Sequence, residues 1–174
     1  MGATRLPGKV MADLAGAPMI ARQIERVSRS ALIDRIVLAT STDAGDDPLA
    51  ACAEALGVGV HRGSLDDVLD RFVGALEAFG PADHVVRLTG DCPLADPAVI
   101  DATIAHVIAA GVDYGSNTPP HRTFPKGLDV EVMTAAALRA AAARASTPEE
   151  HEHVTWGLHQ HPELYRLSFL SQAA

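Results

Sequence analysis

Ile33-Asp34-Arg35-Ile36-Val37-Leu38-Ala39, followed at once by Thr40-Ser41-Thr42-Asp43, is the stretch from which the fold is read. The first seven residues are β-branched and apolar enough to make a short buried strand of a parallel sheet. The next four make a polar turn. Asp47-Pro48 then opens a helix that runs through Leu56, with the proline suited to the first helical position, and Gly57 ends it. Residues 58–61 return to strand. The pattern is strand, turn, helix, strand.

The pattern continues in both directions. Upstream, residues 18–30 read as a helix with Ile20, Ile24 and Val27 at helical spacing. Downstream come a helix over 66–79, a strand over 84–88, a helix over 97–109 and a strand over 112–116. Such alternation is that of an α/β protein with a mainly parallel central sheet. The final third differs. Residues 127–132 alternate apolar and acidic side chains, which predicts a half-exposed strand carrying Asp129 and Glu131 on one face. An alanine-rich helix over 135–145, a helix over 148–159 and a last strand over 165–170 follow.

The chain has 174 residues, enough for one domain (1–174) with a substantial core. Apolar residues make up 48% and charged residues 21%, the balance of a soluble globular chain rather than a disordered one. A net charge of −8 argues against general binding to nucleic-acid backbones, which takes clustered cations. It suits a protein that holds a nucleotide together with a divalent ion. Cys52 and Cys92 are far apart and form no CxxC pair, so neither a disulfide framework nor a zinc ribbon is expected. Reduced thiols, no signal-peptide pattern and no apolar run of membrane-spanning length lead to the expectation of a cytoplasmic protein without membrane partners. His151-Glu152-His153 is not a HExxH zinc motif, because residues two apart lie on nearly opposite sides of a helix.

In open α/β sheets ligands bind beyond the carboxyl ends of the strands. That directs attention to the loops at 40–43, 62–67, 89–91 and 117–127. In Leu88-Thr89-Gly90-Asp91-Cys92-Pro93-Leu94 the chain leaves a strand and turns at Gly90, which places Asp91 where Mg²⁺ with substrate phosphates is held. A plain turn stabilised by the aspartate fits those residues equally well. Asp129 and Glu131 read either as a pair reaching one metal or as the solvent face of an edge strand. Gly2-Ala3-Thr4-Arg5-Leu6-Pro7-Gly8-Lys9 reads either as an ordinary N-terminus or as an anion-binding loop. In the second reading the glycines admit close approach, Arg5 supplies a planar fork and Lys9 a mobile charge. It is not a Walker loop, since Ala3 stands where a glycine is required and Val10 follows the lysine.

Five segments recur in a fixed order: 2–9, then Arg62-Gly63-Ser64 with Asp67-Val68-Leu69-Asp70-Arg71, then 87–94, then Gly127-Leu128-Asp129-Val130-Glu131, then Glu152-His153-Val154-Thr155. Together they resemble the cytidylyltransferase-like family of spore coat polysaccharide biosynthesis protein F, relatives of the acylneuraminate and Kdo CMP-sugar synthetases. The resemblance covers almost the whole chain. It implies a nucleotide-diphospho-sugar transferase fold of the glycosyltransferase-A type, three layers α/β/α. It further implies Mg²⁺-dependent transfer of a nucleotidyl group, CMP from CTP, onto a sugar or sugar acid, with release of pyrophosphate, in glycan precursor synthesis. Carried over by position, Arg5 and Lys9 hold the β- and γ-phosphates, and Gly2, Ala3 and Thr4 line the base and phosphate loop. Gly63 and Ser64, with Thr89 and Gly90, border base and ribose. Asp91 and Asp129 hold Mg²⁺ with Glu131 as helper, while His153 and the Asn117 loop face the acceptor. Arg5, Lys9, Asp91 and Asp129 are then the catalytic set, no general base stands out, and a homodimer is among the expected states.

The family carries a buried first strand and a further phosphate-binding arginine ahead of the motif methionine, and continues past Leu170. The expectation is therefore a chain without that central strand, either a truncated gene product or, the favoured reading, a start assigned at an internal methionine. Two other readings remain open: a sugar transferase on the same fold, because Asp129-x-Glu131 resembles an acidic metal motif, and a non-catalytic fragment.

Overall fold

The computed structural model describes residues 6–118 and 122–172. Strand β1 (Val37–Ser41), helix α2 (Asp47–Ala55) and strand β2 (Gly59–Gly63) form the expected unit, after helix α1 (Met19–Val27). β1 and β2 are parallel, in the register Val37 to Gly59 through Ser41 to Gly63. Helix α3 (Val68–Phe79), β3 (His84–Arg87), α4 (Pro97–Ala110), β4 (Tyr114–Ser116) and β5 (Glu131–Thr134) follow. The chain closes with α5 (Ala135–Arg144), α6 (Pro148–Glu152), α7 (Trp156–Gln160) and β6 (Leu167–Phe169).

A second sheet has the order β3-β5-β4-β6. β4 and β6 are parallel, while β5 lies antiparallel between β3 and β4. Among the described residues β1 pairs with β2 alone and β3 with β5 alone, so the two sheets stay separate. The central strand shows why three layers form. Val132 and Met133 are neighbours on β5, both fully enclosed, and point to opposite faces as strand geometry requires. Met133 packs with Leu69 and Leu76 of α3, Leu138 of α5 and Leu158 of α7. Val132 packs with Ile100, Ile104 and Val107 of α4 and with Val27 of α1. Helices thus cover both faces. Between α4 and β6 only a glycine fits at position 115: a Cβ there would press on Val107 and stand 2.7 Å from the Ser168 carbonyl oxygen. Among the described residues no helix is long and apolar enough to cross a membrane.

Three expected elements differ. The first strand runs over 37–41 rather than 33–39, because Ile33 and Ile36 turn instead into the cluster under α4. The strand expected over 127–132 begins only at Glu131, since Gly127 reverses the chain at φ 91° and residues 128–130 form a loop. Asp129 and Glu131 therefore do not share one strand face. The helix expected over 148–159 is two helices. Thr147 and Glu150 form a capping box that starts α6, and His153, at φ −107° and ψ 89°, ends it.

Candidate active site

The turn after β3 is held from α1. Gln23, 4% exposed on that helix's inner face, donates through Nε2 to the Thr89 carbonyl at 2.8 Å and accepts at Oε1 from the Cys92 amide at 3.2 Å. One amide thus clamps both ends of the turn that presents Asp91. Lys9, which opens a single 3-10 turn after Gly8 at φ 70°, donates from Nζ to Asp91 Oδ2 at 2.6 Å. The Lys9 ammonium holds the Asp91 carboxyl below the usual carboxylate range, against the opposing effect of burial. Thr89 and Cys92 sit together, Oγ1 to Sγ 3.2 Å. Burial pushes the Cys92 thiol up, and the charges of Asp91 and Asp129 push it further. Both candidate metal carboxylates therefore act on the same thiol.

Asp129 lies in the loop before β5. Asn117, fully enclosed, donates from Nδ2 to the Leu128 carbonyl at 2.7 Å and accepts at Oδ1 from the Val130 amide at 2.8 Å. Its own amide donates to the Val130 carbonyl at 3.2 Å. Asn117 thus fixes the backbone on either side of Asp129, and its side chain faces the protein. The Asp129 carboxylate takes both guanidinium nitrogens of Arg122, Nη2 to Oδ2 at 3.1 Å and Nη1 to Oδ1 in closer contact.

Glu131 has a separate set of partners. Its Oε1 accepts from Tyr114 Oη at 2.8 Å and from Thr155 Oγ1 at 2.6 Å, and its Oε2 pairs with Arg87. Burial, reinforced by Glu131, pushes the Tyr114 phenol far up. Thr155 carries the chain past His153 into α7. There Trp156 lies 6.1 Å from the His153 ring and 5.5 Å from His159, whose pKa is lowered by burial.

Gly63 and Ser64 lie at the end of β2. The Gly63 carbonyl accepts from the Thr42 amide at 2.9 Å, and Arg71 Nη1 donates to the Ser64 carbonyl at 3.0 Å. Asp46 Oδ2 accepts from Thr40 Oγ1 at 2.6 Å and Ser41 Oγ at 2.7 Å. Gly2, Ala3, Thr4 and Arg5 lie outside the described residues. The structure therefore joins Lys9 to Asp91 directly and places Thr89 and Gly90 in the same turn, while Asp129 acts on Cys92 of that turn only through its charge. Gly63 and Ser64 share no hydrogen bond with that group among the described residues.

Gln23 and Tyr114 escaped the sequence reading, while Thr155, inside the fifth motif, and Arg122, inside the loop 117–127, were given no role of their own. Gln23 left a signal as the polar residue on the apolar side of an amphipathic helix between Ile20 and Val27. Among the described residues no three His, Cys, Asp or Glu side chains are grouped to cage a metal. Two carboxylates nonetheless fit Mg²⁺, which takes one or two of them and completes its shell with phosphate oxygens and water.

The chain matches the family model described as cytidylyltransferase over residues 1–173. It is 39% identical over 175 residues to the spore coat polysaccharide biosynthesis protein SpsF of Bacillus subtilis (strain 168), covering 98% of this chain and 71% of that protein. It is 37% identical over 121 residues to a 3-deoxy-manno-octulosonate cytidylyltransferase of Anaeromyxobacter sp. (strain Fw109-5), covering 68% of this chain and 48% of that one. The structure of a cytidylyltransferase from Leptospira borgpetersenii serovar Hardjo-bovis (strain JB197) superposes with a TM-score of 0.91 at 29% identity, covering 99% of this chain and 72% of the other.

Proposed function

The chain belongs to the cytidylyltransferase family, and on that premise we propose that it transfers CMP from CTP to a hydroxyl of a sugar or sugar acid. The product would serve glycan precursor synthesis, as the name of the Bacillus relative suggests. In the transfer the acceptor oxygen bonds to the α-phosphorus while the bond to the β-phosphate breaks. Pyrophosphate leaves, and the hydroxyl gives its proton to water. Lys9 exchanges Asp91 for the triphosphate oxygens and, with Arg5, holds the leaving group. Gly2, Ala3 and Thr4 complete that loop. Thr89 and Gly90, with Gly63 and Ser64, border the nucleoside. Asp91 and Asp129 hold Mg²⁺, which when bound supplies charge neutralisation at the reacting phosphate. Gln23 and Asn117 act before chemistry, each fixing the backbone that carries one of these carboxylates. His153 and Trp156 border the acceptor side.

The observation that carries this reading is the contact of Lys9 with Asp91, in a turn clamped at both ends by Gln23. A triphosphate needs a cation and a metal-holding carboxylate in that proximity. The sugar-transferase alternative relied on Asp129 and Glu131 acting on one metal. Glu131 instead spends its carboxylate on Arg87, Tyr114 and Thr155. Thermal unfolding with Mg²⁺ and each of CTP, UTP, ATP, GTP and UDP-glucose tests the choice. CTP is expected to raise the midpoint most. A larger rise with UDP-glucose, or none with any triphosphate, would overturn the proposal.

A further inference from the structure

Each carboxylate assigned to the metal is closed by a protein cation: Asp91 by Lys9 and Asp129 by Arg122. Lys9 has an assigned destination, the triphosphate. Arg122 has none, and it comes from the loop between β4 and β5, in none of the sequence motifs. Its guanidinium spans both oxygens of Asp129, so a metal ion taking that carboxylate competes with it for the same two atoms. Once displaced, a guanidinium beside a dication is repelled unless an anion lies between them. Its planar fork matches the oxygens of a phosphate or carboxylate.

We propose that Arg122 is an oxyanion-binding residue of the active site, held on Asp129 while the site is empty and passed to a substrate oxyanion when the metal arrives. This rests on the reading of Asp129 as a metal ligand. Two observations separate it from a purely structural ion pair. The side chains are 34% and 38% exposed, and pairs of that kind contribute little to stability. The backbone around Asp129 is already secured on both sides by Asn117, so the pair is not needed to hold the loop. The oxyanion is either a phosphate of the nucleotide or the carboxylate of a sugar acid.

Calorimetric titration of Arg122→Gln tests this through two effects of opposite sign. Mn²⁺ alone is expected to bind roughly two- to fivefold more tightly than to the wild-type protein, because its ligand is no longer stoppered. In the presence of Mn²⁺, an oxyanion ligand is expected to bind about tenfold or more weakly. If CTP weakens and cytidine does not, the anion is a phosphate. If CTP is unchanged and 3-deoxy-manno-octulosonate weakens on the complex with Mn²⁺ and a non-hydrolysable CTP analogue, it is the sugar-acid carboxylate. Unchanged or weaker Mn²⁺ binding, or no loss for either anion, overturns the proposal. Asp129→Asn checks the premise separately: Mn²⁺ binding equal to wild type would remove the metal from Asp129 whatever Arg122 does.

Discussion

Asn117→Ala is the sharpest test of how the loop before β5 is built. The substitution removes the acceptor of the buried Val130 amide and the donor to the Leu128 carbonyl, bonds of 2.8 and 2.7 Å. An orphaned buried donor costs about 1–3 kcal/mol. Leu128 is only half-buried, so water recovers part of the second loss, leaving about 1 kcal/mol there. The expected destabilisation is about 2–4 kcal/mol, or a midpoint lower by roughly 4–16 °C for a domain of this size. Urea unfolding followed by the fluorescence of Trp156, the one tryptophan of the sequence, measures it. Asn117→Asp keeps the acceptor for Val130 but faces the Leu128 carbonyl with an oxygen, so it should not rescue the protein. Both variants should also weaken Mn²⁺ binding, since Asp129 sits between the two tied residues. A change in stability below about 0.5 kcal/mol for Asn117→Ala would refute the reasoning.

Glu131→Ala strands Arg87, Tyr114 and Thr155 at once. With side-chain exposures of 24% and 15% in the Arg87–Glu131 pair, a loss of about 3–5 kcal/mol is expected in the same unfolding assay; a loss under 1 kcal/mol would contradict the network. Burial opposes the charge of Asp46, yet its pKa lies below the usual range, and hydrogen bonds from Ser41 and Thr40 are among the interactions that lower it. A depressed carboxylate stabilises the fold above its unfolded pKa, about 3.9, and that stability is lost as the pH falls through the folded value. Stability measured from pH 6 down to pH 2 should therefore fall, and Asp46→Asn should flatten the fall; an unchanged slope would contradict it.

The sequence displayed whatever is decided locally. The strand–helix–strand unit around residue 37 followed from apolar runs and punctuation, and the helices expected to begin at 97 and 148 begin there in the structure. What was hidden depends on partners far along the chain. Nothing local says that Asn117 will grip residues 128 and 130, so a pattern alternating like a strand became a loop. Nothing near Thr155 says that its hydroxyl belongs to Glu131, or that the helix expected through it stops at His153. The Arg122–Asp129 pair is of the same kind. Motif order showed the family, which the family model and the Bacillus relative bear out, but it did not show which cation rests on which carboxylate.

The central claim is that this chain cleaves CTP between the α- and β-phosphates for an acceptor, with Asp91 in the metal site. The direct measurement is phosphorus NMR of CTP, Mg²⁺ and a panel of sugars and sugar acids incubated with the wild-type protein and with Asp91→Asn. The prediction is pyrophosphate and a CMP–sugar phosphodiester appearing together, only with an acceptor present, and a rate lower by about a hundredfold or more in the variant. Pyrophosphate formed at the wild-type rate by Asp91→Asn, or no phosphodiester with any acceptor, would contradict it.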